Sequence, residues 1–139
     1  MSDLERFSVT VPRELAAAFD RRNKRKGYGN RSEAIRDLIR DALVKEEWAN
    51  PRTQVAATMT LVYDHHTRAL TDKITEVQHD SGELIVSALH VHLDHDNCLE
   101  VIVMRGAARE VQALADTLSS IRGVKHAQLT LATEGKSLV

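Results

Sequence analysis

The first fifty residues contain one short strand pattern and no neighbouring strand pattern for it to pair with. Residues 6–11 alternate strictly, with Phe7, Val9 and Val11 on one face and polar residues on the other. Two helical patterns follow, and so short a unit buries little surface alone, while an unpaired strand leaves its backbone groups without partners. We therefore expect two chains to pair these strands as an antiparallel ribbon with a shared apolar core.

Two helices are predicted after the strand. Pro12 suits the start of the first helix, and Gly27 suits its end. Asn30 stands three residues before Glu33, which is the spacing of a capping box at the start of the second helix. Apolar residues then recur at helical spacing, at Ile35, Leu38, Ile39, Ala42 and Leu43.

The polar face of the ribbon would display Arg6, Ser8 and Thr10 from each chain. A two-stranded ribbon fits the DNA major groove, where arginine can bond guanine and a hydroxyl can bond several base edges. The second helix begins Asn30-Arg31-Ser32 and offers backbone and side-chain donors to a phosphate. Residues 21–26 add five cations in six positions. The pattern predicts sequence-specific DNA binding.

Residues 6–47 resemble a ribbon-helix-helix DNA-binding domain, a βαα unit that forms an intertwined dimer. The resemblance rests on RFSVTVP followed by GYGNRSEAIRDLIRDAL. Repressors and antitoxins share this fold, so the second part of the chain must indicate the function. Ser8 stands where threonine is more usual, which removes an expected contact with a thymine methyl.

A proline separates this unit from a second pattern. The helical pattern stops at Pro51, which places a linker at 49–53 between domains at 1–48 and 54–139. The second domain reads as strand 54–63, helix 65–79, strands 83–93 and 99–105, helix 107–121 and strand 124–132. This βαββαβ order predicts a ferredoxin-like four-stranded antiparallel sheet with two helices on one face, and so an α+β chain.

Strand 83–93 combines apolar residues on both faces with two imidazoles. We expect it to be buried, with subunits packing sheet to sheet or edge to edge. His90 and His92 share one face of the strand, and a loop returns the chain to Cys98, its only cysteine. Imidazole and thiolate favour a late first-row divalent ion, and the ligand types leave copper, nickel and zinc open.

The second domain resembles the NikR-type nickel-responsive transcriptional regulators, through TEVQHD, LHVHLDHDNCLE and RGVKH. The resemblance implies a homotetramer, built as a dimer of dimers around ACT-like domains, with one square-planar Ni²⁺ per subunit. It also implies repression of nickel-uptake genes through a palindromic operator. The implied nickel ligands are His79, His90, His92 and Cys98, and Glu33 and Asp37 lie where the family can form an interdomain cation site.

Strand geometry adds a condition to this ligand set. His79 precedes the turn that opens the strand, whereas His90 lies about 23 Å along it at roughly 3.3 Å per residue. Metal–nitrogen distances are about 2 Å. If His79 is a ligand, it must therefore come from a neighbouring subunit.

Composition narrows the classes of function that the chain could have. The net charge is −1, but residues 1–50 hold 11 Lys and Arg against 9 Asp and Glu, and the remainder hold 8 against 11. A single cysteine and the lack of a long apolar run predict a cytoplasmic protein without membrane spans. Four protein ligands and no nucleophile–base pair argue against an enzyme. A metal storage protein, and a regulator that senses copper, cobalt, zinc or an amino acid, remain alternatives.

Overall fold

The computed structural model describes residues 3–139. Contacts divide the chain into two compact units, Met1–Asp41 and Ala42–Val139. In the described part of the chain, no helix is both long enough and apolar enough to cross a membrane.

The first unit is helical. Helix α1 spans Arg13–Lys26 and helix α2 begins at Arg31 and runs to Ala49, so its last turns belong to the second unit. Gly27 adopts the left-handed conformation that ends α1, with φ of 83°, as its lack of a Cβ permits. The Asn30 side chain accepts the Glu33 N–H at 2.9 Å. Both predicted helices and the predicted N-cap are confirmed.

The predicted strand at residues 6–11 does not form within one chain. Residues 3–12 carry no helix or strand. The reason is physical, because a β-strand is completed by hydrogen bonds to a neighbour, and the sequence offers that neighbour only on another chain. Phe7 and Val9 are 65% and 71% exposed, so the apolar face of this segment is uncovered in the monomer.

The second unit is built on an antiparallel sheet with the strand order β2-β3-β1-β4. Its elements are β1 (Gln54–Asp64), α3 (Arg68–Asp80), a 3₁₀ turn (Gly82–Leu84), β2 (Ile85–His92), β3 (Asn97–Ala107), α4 (Ala108–Ser119) and β4 (Val124–Leu131). This order confirms the predicted ferredoxin-like, ACT-like βαββαβ arrangement.

The core lies between the sheet and its two helices. Strand β1 alternates buried and half-buried residues along its length, as expected for a central strand with one covered face. The buried residues that form the core come from both layers: Val55, Ala57, Met59, Leu61, Tyr63, Leu70, Ile74, Cys98, Ile102, Met104, Ala108, Val111, Leu114, Ala115 and Leu118. Trp48 packs against this core and donates its indole N–H to the Ala132 carbonyl at 2.8 Å.

Two predicted boundaries of the second unit are wrong, and the burial predicted for one strand is not found within one chain. Strand β2 is an edge strand that is mostly exposed in the single chain, so its predicted packing against another subunit stays a prediction. Helix α3 begins at Arg68 rather than at His65, so His65 and His66 lie in a turn. Strand β3 begins at Asn97 and takes in Cys98. Because of the last two differences, His65, His66 and Cys98, whose side chains are of types that bind metals, lie at one end of the sheet.

Candidate metal centre and DNA-binding surface

The β2–β3 hairpin positions three of the four predicted metal ligands. Its register pairs His92 with Cys98 and His90 with Glu100. Directly opposed residues of an antiparallel pair project from the same face, with Cβ atoms about 4.5–5.5 Å apart. The structure therefore brings His90, His92 and Cys98 to one face of the hairpin.

A bulge in β2 sets this register. The pairing with β3 shifts by one residue between Ile85 and Ser87. Because side chains alternate with a period of two, pairing that continued from Ile85 without this shift would set Leu89 opposite Glu100 and Val91 opposite Cys98. Leu89 and Val91 would then share the face of the thiol, and both histidines would point away from it.

The imidazoles of this face lie close together and include one that the sequence did not single out. The ring centroids of His90 and His92 are 5.3 Å apart. The His65 ring meets the His92 ring edge to face at 4.8 Å, and its Nδ1 is buried without a hydrogen-bond partner. Burial lowers the pKa of His65, which favours the neutral imidazole that binds metals. No sequence spacing links His65 to His92, since the contact depends on the turn before α3.

The thiol of Cys98 is the buried member of the group. Its side chain is fully buried, and its Sγ donates to the Tyr63 carbonyl at 3.4 Å. Burial raises the pKa of the Cys98 thiol, so the free chain favours the neutral form. A transition-metal ion would favour the thiolate instead. A soft sulfur donor beside two imidazoles fits the donor set expected for such an ion.

These donors are not gathered into a complete ligand set within one chain. Among residues 3–139, the only His, Cys, Asp or Glu group whose three donor atoms lie within 4.8 Å of one another is a different one, formed by His66, His95 and Asp96. His79 is exposed in the last turn of α3, and within the described part of one chain it belongs to no such group of three donors. Its role as fourth ligand stays a prediction.

Beneath the histidines lies a buried polar network that the sequence reading missed. Glu100 is 6% exposed. Its carboxylate accepts the Tyr63 hydroxyl at 2.7 Å and the Gln78 side-chain N–H at 2.9 Å. Burial and then the bond to Glu100 raise the pKa of Tyr63. An available signal was the inward position of Glu100, two residues after Cys98 on an otherwise apolar strand face.

The predicted base-reading residues lie on the N-terminal segment of the first unit. Arg6, Ser8 and Thr10 are exposed. At the start of α2, Asn30 caps the helix and Ser32 is exposed. The Arg31 guanidinium is bonded to both carboxylate oxygens of Asp20, at 2.8 and 2.7 Å, so a phosphate would compete with this ion pair.

The two carboxylates of the predicted interdomain cation site have local partners. Glu33 forms an ion pair with Arg36. Asp37 accepts the Tyr28 hydroxyl at 2.6 Å and an Arg40 N–H at 2.9 Å, and the Tyr28 bond contributes most to lowering the pKa of Asp37. A cation at either carboxylate would therefore have to compete with a neighbouring side chain.

Known families match both units. The family described as "NikR C terminal nickel binding domain" matches residues 56–132, and "Ribbon-helix-helix protein, copG family" matches residues 5–46. Putative nickel-responsive regulators of Solibacter usitatus and Geobacter metallireducens are 53% and 52% identical over 138 residues, which is 99% of each chain. An uncharacterized protein of Thermotoga maritima shares the fold, with a TM-score of 0.51 and 16% identity over 56% of this chain and 96% of its own.

The fold and the matched regions define a ribbon-helix-helix protein with an appended βαββαβ domain. Within that class the chain belongs to the NikR family of nickel-responsive regulators. The predicted family is thus confirmed along nearly the whole chain.

The Tyr63–Glu100 bond gives a stability prediction. Tyr63→Phe leaves the buried Glu100 carboxylate without one of its donors, so we expect a loss of about 1–3 kcal/mol in the free energy of unfolding. Tyr28→Phe removes the same type of bond, to Asp37, at a half-buried site and should cost less. Urea unfolding at one fixed protein concentration measures both. Equal losses in the two variants would contradict a special role for the buried network.

Proposed function

We propose that this protein is a nickel-responsive, sequence-specific DNA-binding regulator that represses nickel-uptake genes. The observation that carries the proposal is the pairing of His92 with Cys98, with His90 on the same face, in a chain whose other unit is a ribbon-helix-helix domain. The putative nickel-responsive regulators that match 99% of the chain support it.

In this proposal one Ni²⁺ per subunit is held by His90, His92 and Cys98 of one chain and His79 of a neighbouring chain. The two hairpin imidazoles lie at the exposed edge of the sheet, where a second chain can reach them. His79 is also exposed. When bound, the ion supplies a link between subunits, which stabilises the assembled state by mass action.

The proposed assembly is a homotetramer formed as a dimer of dimers. In the first unit, Phe7, Val9 and Val11 expose apolar surface that a ribbon formed with a second chain would bury. In the second unit, Val86 and Leu89 are 59% and 61% exposed on the edge strand. Two separate uncovered apolar surfaces fit two different subunit contacts.

Base reading is assigned to Arg6, Ser8 and Thr10 on the outer face of the ribbon, while Asn30-Arg31-Ser32 at the start of α2 would contact phosphates. All of these residues are exposed. Two such ribbons in one tetramer match the two halves of a palindromic operator. Bound Ni²⁺ controls DNA binding only if it binds more tightly to one arrangement of the two ribbons than to the other.

DNA binding measured with each divalent metal tests the proposal. Full-length protein is mixed with random-sequence DNA pools at matched salt, with no added metal or with Ni²⁺, Co²⁺, Cu²⁺ or Zn²⁺. We expect Ni²⁺ to raise specific affinity and to give a sulfur-to-metal charge-transfer band, and Cys98→Ser to lose both. His126→Gln, which changes an exposed histidine outside the proposed site, should keep both. Equal affinity with and without Ni²⁺ would refute the switch.

The base-reading assignment makes a separate prediction. Arg6→Ala should weaken discrimination between operator and random DNA by about 1–3 kcal/mol, because an arginine–guanine contact is lost. Nickel binding should not change. Arg122→Ala, an exposed arginine of the second unit, is the matched control. Quantitative footprinting that finds unchanged discrimination for Arg6→Ala would remove Arg6 from the interface.

A further inference from the structure

A second group of potential ligands lies where the turn between β1 and α3 meets the β2–β3 loop. The His65 backbone N–H donates to the Asp96 carbonyl at 3.1 Å. The His66 Nε2 lies 2.7 Å from the His95 carbonyl oxygen and 3.6 Å from Asp96 Oδ1. The two segments are therefore held side by side by bonds that involve the backbone.

Both segments are also ordered locally. Asp94 Oδ1 accepts the backbone N–H groups of Asp96 and Asn97 at 2.9 and 2.8 Å. Bonds from Asn97, first from its side chain and then from its backbone, lower the pKa of Asp94 to about 2. On the other segment, Asp64 Oδ1 accepts the His66 N–H at 2.8 Å. The backbone of the group is thus fixed by its own hydrogen bonds.

Three side chains converge on this junction. One donor atom from each of His66, His95 and Asp96 lies within 4.8 Å of the other two. Ligands on opposite sides of a transition-metal ion are about 4 Å apart, given metal–ligand distances of about 2.0–2.2 Å. Small side-chain rotations would close the group around an ion, and solvent would complete its coordination because all three residues are exposed.

The chemistry and charge of the junction select the kind of ion. Two imidazoles and a carboxylate suit a first-row divalent cation better than Mg²⁺, which prefers oxygen ligands. Three carboxylates lie close to the site, those of Asp64, Asp94 and Asp96. The nearby positive charge is the Lys125 ammonium, which donates to the Asn97 side chain at 2.6 Å. The local charge therefore favours a cation.

We propose that His66, His95 and Asp96 form an accessory site for a first-row divalent cation, distinct from the site at His90, His92 and Cys98. An ion held there would tie the β1–α3 turn to the hairpin loop that leads into Cys98. With three exposed protein ligands and no thiolate, the accessory site binds more weakly than the proposed nickel site. It does not depend on the regulatory function proposed above.

Equilibrium dialysis of the full-length protein with Ni²⁺, Co²⁺ or Zn²⁺ alone tests the site. We expect a tight and a weaker class of bound metal in the unmodified chain. The double variant His66→Gln/His95→Gln, and separately Asp96→Asn, should lower the metal affinity of the weaker class about tenfold or more. Removing only a hydrogen-bond partner of a ligand already lowers metal affinity by about that factor, and removing the ligand itself should lower it at least as much. The charge-transfer band of the thiolate should persist in both variants.

Matched variants separate this proposal from the proposed function. His126→Gln should leave both classes of metal intact, whereas Cys98→Ser should lose the band and keep the weaker class. The accessory site is refuted if the unmodified chain has no weaker class of bound metal, or if equimolar Mg²⁺ displaces that class. It is also refuted if the weaker class is unchanged in the His66→Gln/His95→Gln and Asp96→Asn variants, or if His126→Gln loses it equally. Failure of nickel to change DNA binding, with the weaker class present, would refute the regulatory switch and leave the accessory site standing.

Discussion

The register of the β2–β3 hairpin is the constraint on which the proposed metal centre depends. Cys98 is fixed on the covered face of the sheet by its place on β3, between residues that fill the core. Beyond the shift at Ile85–Ser87, the pairing sets His90 opposite Glu100 and His92 opposite Cys98. Pairing that continued from Ile85 without the shift would instead place the apolar Leu89 and Val91 beside the thiol. Bulges often lie next to functional sites, and this one precedes two of the proposed ligands.

A second constraint acts on the first unit, where backbone and apolar groups need a partner that one chain does not supply. Residues 3–12 carry the proposed base-reading side chains and also the apolar residues Phe7, Val9 and Val11. Burying the apolar side in a ribbon made with another chain would turn the polar side outward. The same pairing that completes the core would thus create the DNA-reading surface, which links folding to function without a further structural element.

The sequence predicted the order of elements well because local signals mark it. Prolines, glycines and the change between helical and alternating apolar patterns locate the helices and strands to within a few residues. The position of β2 in the sheet was not predictable, because apolar residues on both faces are typical both of a central strand and of an edge strand that packs against another subunit. Pattern alone does not separate these cases, whereas the strand order does.

The site was only partly predictable for a related reason. His90 and His92 share a face by simple alternation, but the network of Tyr63, Gln78 and Glu100 joins residues 22 and 37 positions apart. The approach of His66 to His95 spans 29 positions and depends on how a turn meets a loop. Contacts of this kind follow from tertiary packing, for which a single sequence contains no periodic signal.

The claim that a metal ion joins neighbouring subunits is tested most directly by mixing two inactive variants. Chains with His79→Ala are unfolded and refolded together with chains with Cys98→Ala, and mixed oligomers are isolated by means of distinct tags. Neither variant alone should bind Ni²⁺ tightly. In a mixed oligomer, His90, His92 and Cys98 of a His79→Ala chain can combine with His79 of a Cys98→Ala chain, so tight binding and the charge-transfer band should return in a fraction of the sites. Verified mixed oligomers with no tight site would contradict a ligand set shared between subunits.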